Sequence, residues 1–188
     1  RIFPSGAMIG QTSGHADLRQ RGDTPSRRWT GRLDALEERG YVLIADGPDE
    51  VQAGVREQLR LGATQIKVAA GGGVSSAYDP IDSVQYSPAE LLAAVQSAED
   101  FGTYVAVHAY TSESTTRAVL AGARSVEHAQ LIDEPTMRLI AERGVFLSPQ
   151  AHLFSDDSPA AAQQTAAQRA KASVVSAGLD RMMLLART

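Results

Sequence analysis

Short runs rich in β-branched residues alternate with longer helical patterns along this chain, and a glycine follows most of the helices. Gly62, Gly102, Gly122 and Gly144 each stand where a helical pattern stops. Glycine is favoured just past a helix C-terminus because it adopts positive φ without strain. Strands that alternate with helices in this way predict parallel βα units. Two architectures satisfy that order, a doubly wound open sheet and a (β/α)8 barrel.

The predicted elements are short strands and mostly longer helices. We predict strands at residues 1–3, 64–69, 103–108, 124–127 and 145–148, and a short apolar strand or edge segment at 41–45. We predict helices at 48–61, 87–101, 111–121, 133–143 and 158–187, with a further short helix inside 29–39 and a polar loop over 10–28. Ser87 and Glu90 have the spacing of a capping box. Gly178 is the weakest point of the last helix.

Composition limits the class of protein. The 188 residues are 43% hydrophobic, which suits one compact domain or a large piece of a bigger one. A net charge of −4 gives little support for nucleic-acid binding. The longest apolar run, 41–45, is far shorter than the roughly 20 residues that span a bilayer, so we expect no membrane partner. We expect no signal peptide, because the N-terminal residues do not form a basic region followed by an apolar stretch.

Two further expectations come from the lack of cysteine and from the identity of the first residue. Without cysteine, disulfides and thiolate zinc sites are excluded, which fits a cytoplasmic protein. The chain begins at Arg1 rather than at methionine. We therefore expect it to be a segment of a longer protein.

Polar residues lie on three consecutive predicted strands where apolar ones are expected. Lys67 lies within one strand, His108 ends the next, and His128 follows the one after. Parallel strands lie about 5 Å apart and bind ligands at their C-terminal ends, so both imidazoles could reach one metal ion or a pair of ions. The alternative is two histidines that are hydrogen-bonded within the structure.

Lys67 has two interpretations as well. It could extend its ammonium group from a strand edge into water. Amid Ile66, Val68 and Ala69, however, it faces a costly desolvation unless something compensates. Carboxylation by CO₂ would convert the lysine into an anionic oxygen ligand.

Three stretches in order, TQIKVAAGGGVSSAYD, VAVHAYTSES and SVEHAQLIDE, resemble the amidohydrolase superfamily. The nearest group is the prolidase-like, metal-dependent dipeptidases and carboxypeptidases, together with amidases of N-acyl amino acids. RIFPSGAMIGQTSGHAD and GVFLSPQ extend the resemblance over nearly the whole chain. The resemblance implies an α/β fold, a (β/α)8 TIM-type barrel. Residues 1–188 would form a partial barrel domain covering about strands three to seven, with strands one, two and eight absent.

The resemblance also implies roles for five residues. Lys67 would be carboxylated and would bind metal together with His108 and His128, and these three form the implied catalytic set. His15 and Tyr110 would bind substrate. The implied cofactors are two divalent metal ions, Zn²⁺ by preference. The implied reaction is hydrolysis of an amide or peptide bond, in a dipeptide or an N-acyl amino acid, by a metal-bound hydroxide.

The family pattern includes two elements that this chain lacks. A His-x-His pair on strand one and an aspartate that ends strand eight have no counterpart here. We therefore expect Lys67, His108 and His128 to form an incomplete site that holds one metal ion weakly. Missing barrel segments, or further copies in a homo-oligomer, would complete it, because an open barrel leaves strand edges unpaired. The alternatives are a catalytically incomplete fragment with a structural or assembly role, and a phosphate- or sugar-binding α/β protein.

The remaining candidates are secondary. The 71–73 triglycine is predicted to be a flexible loop at the mouth of the site. Its alternative as a phosphate cradle lacks the GxxxxGK[ST] order. His152 is interpreted as a surface residue, and Asp79 and Asp82 as residues that could shape the pocket. Glu127 is expected on the opposite face of its strand from His128, without a chemical role.

Overall fold

A computed structural model of the chain describes residues 1–23, 25–154 and 163–187. The strands are β1 Met8–Gly10, β2 Val42–Ile44, β3 Ile66–Ala69, β4 Val105–Thr111, β5 Ser125–Leu131 and β6 Phe146–Ser148. The α-helices are α1 Arg27–Thr30, α2 Ala35–Glu38, α3 Pro48–Arg60, α4 Pro88–Asp100, α5 Ser112–Ala121, α6 Glu134–Glu142 and α7 Ala166–Leu185. A 3₁₀ turn spans Ala151–Phe154.

The six strands form one sheet in the order β2-β1-β3-β4-β5-β6, and every pair is parallel. The predicted parallel βα organisation is therefore confirmed. Because the strands are parallel, their C-terminal ends meet along one edge of the sheet, where the loops that follow them come together.

Local sequence signals explain where the helices begin. Ser87 and Glu90 form the capping box of α4, with Pro88 at the first helical position. Asp133 caps α6 by accepting a hydrogen bond from the Thr136 amide. Each cap satisfies backbone N–H groups that have no partner within the helix.

The main core lies between one face of the sheet and helices α3 to α6. It includes Val68, Val107 and Val126 from the strands, which are fully buried, and Leu91 and Ile140 from the helices. Residues on the opposite sheet face are more polar, and that face carries the candidate site.

The first strand lies elsewhere than predicted. Residues 1–3 are not a strand, and Ile2 is 91% exposed. The strand is Met8–Gly10, which ends at the first residue of the predicted loop. Gly6, with a φ of 68°, turns the chain before this strand. Ile9 is fully buried, whereas Ile2 and Phe3 are exposed. The strand therefore forms where the apolar side chain can be buried in the core.

Helix α7 lies close to β5 because of Gly178. A side chain at this position would place its first carbon 2.3 Å from the Gln130 carbonyl oxygen. Val175 and Met182 on the same helix are fully buried. The glycine that weakens the helix in the sequence therefore allows its packing against the sheet. None of the helices formed by the described residues is long and apolar enough to cross a bilayer.

Candidate active site

The strand register places the predicted site residues on one face of the sheet. Lys67 pairs with Ala106, and His108 pairs with Glu127. Since side chains alternate along a strand, Lys67, His108, Tyr110 and Glu127 all face away from the helix-covered core. Both β4 and β5 extend past their histidines, so His108 and His128 lie inside strands rather than at the ends that we predicted.

His128 reaches this face through an unusual backbone. Simple alternation would direct it toward the helices, because it pairs with Ala109. Instead His128 has a φ of 83° and Ala129 a φ of 58°, in the left-handed region that residues other than glycine rarely adopt. The His128 ring packs 4.8 Å from the His108 ring and 4.9 Å from the Tyr110 ring, between centroids. Backbone strain at such a position is a common mark of a functional site.

The same backbone corrects the expectation for Glu127. Glu127 faces Lys67 instead of pointing away from the site. Burial alone would raise the pKa of Glu127, but Lys67 and hydrogen bonds from Gln150 and Ser125 bring it below its ordinary value. A carboxylate thus lies close enough to Lys67 to influence its charge.

His15 completes a cluster of four rings. It follows β1 and stacks on His108 with centroids 4.0 Å apart and an angle of 18° between the planes. Gly73 leaves the space for its ring, since a side-chain carbon there would lie 1.7 Å from His15 Nδ1. His15, His108, Tyr110 and His128 are all buried. The structure therefore brings together the histidines and the tyrosine that the sequence singled out.

The rings border a cavity of about 420 Å³. Its other lining residues come from the loop after β3, from the turn after β6 and from the start of α7 with the residues before it. They include Val74, Ser75, Gln150, Gln163, Gln164 and Gln168. The lining is rich in amide side chains that can both donate and accept hydrogen bonds. A cavity of this size suits a small molecule.

Hydrogen bonds fix which nitrogen of His108 is protonated. His108 Nε2 lies 2.9 Å from the Gly72 carbonyl oxygen, which can only accept. Nε2 is therefore the donor, and a neutral His108 carries its lone pair on Nδ1. A backbone carbonyl that holds one ring nitrogen is a common arrangement for a histidine that binds metal through the other.

His15 is oriented by Ser76. The Ser76 hydroxyl donates to the Gly73 carbonyl oxygen at 3.2 Å, so the hydroxyl accepts a hydrogen bond from His15 Nδ1 at 3.0 Å. His15 Nε2 is then the acceptor nitrogen of a neutral ring.

Burial keeps the imidazoles neutral. It lowers the pKa of His15 to about 4, against an opposing effect of Asp79, and the pKa of His128 to about 4 with a further contribution from Lys67. Burial and the two neighbouring imidazoles lower the pKa of His108 well below its ordinary value. Neutral imidazole is the form that binds metal ions.

Lys67 is perturbed in the same direction. Burial lowers the pKa of the Lys67 ammonium to about 8, although Glu127 opposes the shift. A larger share of this lysine is therefore the neutral amine near pH 7 than of an exposed lysine. The neutral amine is the form that reacts with CO₂.

The triglycine is a buried, hydrogen-bonded segment and not the flexible loop that we predicted. Gly72 N donates to the Ser83 carbonyl and Gly73 N donates to Asp79 Oδ2. Gly71, Gly72 and Gly73 are all buried. Because these two amides are already engaged with protein acceptors, the segment does not form a phosphate cradle.

The secondary candidates separate by burial. Asp79 is 3% exposed and accepts hydrogen bonds from Gly73 N and Gln85 Nε2, whereas Asp82 is exposed. His152 is exposed in the 3₁₀ turn, as we expected for a surface residue.

Sequence reasoning missed Ser76, which lies in the loop after β3, and Lys171, which contacts that loop from α7. A signal for Lys171 was present, because Lys67 and Lys171 are the two lysines of a chain with 16 arginines.

The described side chains do not by themselves form a complete metal site. Among residues 1–23, 25–154 and 163–187, no group of three His, Asp or Glu side chains is arranged to hold a metal ion. The two strand histidines fit a metal ion only with a ligand of another kind or from elsewhere. The partly buried Lys67 on the adjacent strand, once carboxylated, would fit that need, and the His108 tautomer fits a ligand role.

Comparison with known proteins gives the family. A profile of the Amidohydrolase family matches residues 5–184. This chain belongs to the amidohydrolase family. The predicted superfamily is confirmed, and with it the α/β fold of a (β/α)8 barrel, in place of a doubly wound open sheet.

Individual relatives agree with this assignment. Ochratoxinase of Aspergillus niger is 35% identical over 150 residues, which are 77% of this chain and 31% of the ochratoxinase. A prolidase solved with N-methylphosphonate-L-proline is 36% identical, with a TM-score of 0.89 over all of this chain and 45% of its own. A Xaa-Pro dipeptidase with methionine in its active site is 32% identical, with a TM-score of 0.80 over 100% and 45%. The chain thus spans less than half the length of these relatives.

Proposed function

We propose that this chain forms part of the active site of a metal-dependent hydrolase that cleaves the amide or peptide bond of a small substrate. The observation that carries the proposal is the convergence of His15, His108, Tyr110 and His128 on the sheet face that also bears the partly buried Lys67. Membership of the amidohydrolase family supports it.

Lys67 in carboxylated form, His108 through Nδ1, and His128 would supply part of the ligand set for the divalent metal ions, with Zn²⁺ as the preferred metal. Bound metal would supply Lewis-acid polarisation of the substrate carbonyl and would lower the pKa of water. The left-handed backbone of His128 and the hydrogen bond from His108 to Gly72 hold both imidazoles in place before metal arrives. Such preorganisation reduces the free-energy cost of binding.

Tyr110 and His15 would bind the substrate. Burial raises the pKa of the Tyr110 phenol, so the hydroxyl keeps its proton and can donate to a carbonyl or carboxylate oxygen. His15 Nε2, as an acceptor, can receive a hydrogen bond from a substrate N–H or O–H group. One donor and one acceptor, both in ring contact with His108, would orient an amide.

The relatives and the cavity support a proposal for the substrate class. The relatives include an ochratoxinase, a prolidase and a Xaa-Pro dipeptidase. A cavity of about 420 Å³ has room for a dipeptide or an N-acyl amino acid. We therefore propose a Xaa-Pro dipeptide or an N-acyl amino acid as substrate.

The test uses the full-length protein that contains this chain, assayed with Xaa-Pro dipeptides and N-acyl amino acids after loading with Zn²⁺. His108→Asn should lower kcat/KM by at least about 100-fold and reduce bound zinc, because a ligand is lost. His152→Asn is the matched control, since it removes an exposed histidine, and it should leave both unchanged. Full activity in His108→Asn would overturn the proposal.

A further inference from the structure

Lys171 on α7 reaches into the loop that follows β3. Its Nζ donates to the carbonyl oxygens of Gly73 at 3.0 Å, Ser76 at 3.0 Å and Asp79 at 2.5 Å. The Asp79 carboxylate Oδ1 lies 3.6 Å from the same nitrogen. An ammonium group has three N–H donors, and here all three have a backbone acceptor.

This contact requires a lysine. A guanidinium group spreads its donors over a planar fork and cannot direct three of them to carbonyl groups that converge on one point. The chain otherwise uses arginine for its cations, and its other lysine is Lys67.

The three carbonyl groups belong to the residues that hold His15. Gly73 makes room for the His15 ring, and its carbonyl accepts from both Lys171 and the Ser76 hydroxyl. The Ser76 hydroxyl in turn accepts from His15 Nδ1. Asp79 closes the loop by accepting from Gly73 N and Gln85 Nε2, and Gln85 Oε1 accepts from His15 N. Two hydrogen-bonded routes therefore connect Lys171 to His15.

The same helix also packs on the cavity. Val175, one turn after Lys171, is fully buried against Val74 and Tyr110. Lys171 thus lies where α7 meets the loop. Lys171 makes the polar contacts there, and Val175 makes the apolar contact with Tyr110.

We propose that Lys171 is a positioning residue: it fixes loop 73–79 so that Ser76 holds His15 in the Nδ1–H tautomer, with Nε2 as the acceptor that meets substrate. Its task is to set the geometry of His15, and it does not itself touch substrate. The inference rests on the proposed function, because it gives His15 a task in that site.

The first measurement is independent of catalysis. In the full-length protein labelled with ¹⁵N-histidine, the His15 signals, assigned with His15→Asn, should show a single Nδ1–H tautomer. Lys171→Met should convert this pattern into a mixture of tautomers and should speed amide exchange at Gly73 by about tenfold. Unchanged His15 signals in Lys171→Met would overturn the inference.

Two further variants keep the test decisive. Arg181→Met is the matched control, because Arg181 also lies on α7 and donates to a backbone carbonyl, that of Ile132, at 3.0 Å. It should leave the His15 signals as in the wild type, and the same mixture in this variant would count against Lys171. Ser76→Ala keeps Lys171 but removes the hydroxyl that accepts from His15 Nδ1. It should therefore also give a mixture of His15 tautomers, and it provides a test even if Lys171→Met fails to fold. A single tautomer in Ser76→Ala would overturn the inference.

Turnover separates this inference from the proposed function. If the protein hydrolyses a Xaa-Pro dipeptide or an N-acyl amino acid, Lys171→Met should raise KM by about tenfold with kcat and zinc content nearly unchanged. A loss of zinc in this variant would contradict a role through His15. Absence of turnover in the wild type would contradict the proposed function, while the ¹⁵N signals would still decide the role of Lys171.

Discussion

At the scale of single residues, the site combines groups that are individually costly to bury. Three imidazoles and one lysine lie on the same sheet face, and burial shifts the pKa of each toward the neutral form. Neutral groups are the ones that can bind metal ions or react with CO₂. Because burial lowers the pKa of these groups, it favours the neutral forms that the proposed chemistry requires.

The first prediction concerns the pH dependence of stability in the metal-free protein. Unfolded histidine titrates near 6.5, whereas the folded pKa of His15 and of His128 is about 4. Between these values the unfolded state binds more protons, so the free energy of unfolding should fall as pH decreases from 6.5 to 4. The loss should be on the order of 2–3 kcal/mol for each of these imidazoles.

Urea unfolding at several pH values measures this dependence. His15→Asn should make the slope shallower, because one protected imidazole is removed. His152→Asn, at an exposed position, should leave the slope as it is. A wild-type stability that stays constant down to pH 4 would contradict the prediction.

The second prediction concerns Lys67. Lys67→Arg keeps a positive charge but removes the amine that CO₂ can modify. The variant of the full-length protein should lose at least about 100-fold in kcat/KM and should bind less zinc than the wild type. Zinc by elemental analysis and a carbamate signal in ¹³C NMR after growth with ¹³C-bicarbonate provide the readouts. A wild-type protein without the carbamate signal would count against carboxylation.

Sequence reasoning named residues that the structure brings together, but it did not predict their geometry. His15, Lys67, Tyr110 and both strand histidines were named from motifs, and the structure gathers the four rings. The alternation rule failed at His128, because its positive φ turns the ring onto the other face and leaves Glu127 facing Lys67. No local pattern in SVEHAQL predicts the positive φ of His128, because tertiary packing holds the strained backbone in place.

At the scale of elements, glycine and capping residues explain most of the fold. The capping boxes and the glycines after helices predicted the limits of α3 to α6 within one or two residues. The strand at Met8–Gly10 could not be found in the same way, because three residues are too few for a periodic pattern. Its identity depends on pairing with β2 and β3, which lie 34 or more residues away.

The third prediction tests how α7 meets the sheet. Gly178→Ala would gain about 1 kcal/mol in helix propensity. The added carbon, however, would lie 2.3 Å from the Gln130 carbonyl oxygen, so the helix must move. We expect a net destabilisation of about 1–3 kcal/mol in urea unfolding.

Ala170→Gly is the counterpart on the exposed side of α7. It should cost about 1 kcal/mol through helix propensity alone. A Gly178→Ala variant that is more stable than the wild type would show that α7 does not pack closely on Gln130.

At the scale of the whole molecule, the sheet has two ends. Within the described residues, β2 and β6 each pair with a strand on one side only. Phe146 in β6 is 73% exposed. Edge strands with exposed apolar side chains favour pairing with other chains.

The fourth prediction follows from these edges. The 188-residue chain, expressed alone, should show a mass above its 20.0 kDa in size-exclusion chromatography with light scattering. Phe146→Lys should shift the population toward the monomer, because a charge on an edge strand opposes pairing. Leu61→Lys replaces another exposed apolar residue, away from the edge strands, and should have no effect. A wild-type chain that is monomeric at all concentrations would contradict the prediction.

The contacts of Lys171 also have a consequence for biosynthesis. Residues 92 to 98 positions apart in the chain meet when α7 contacts loop 73–79. At a translation rate of about 5–20 residues per second, the loop leaves the peptidyl-transferase centre roughly 5–20 s before Lys171 is made. During that interval Ser76 and Asp79 lack the ammonium group that joins them, so the His15 region reaches its final arrangement only after α7 has been made.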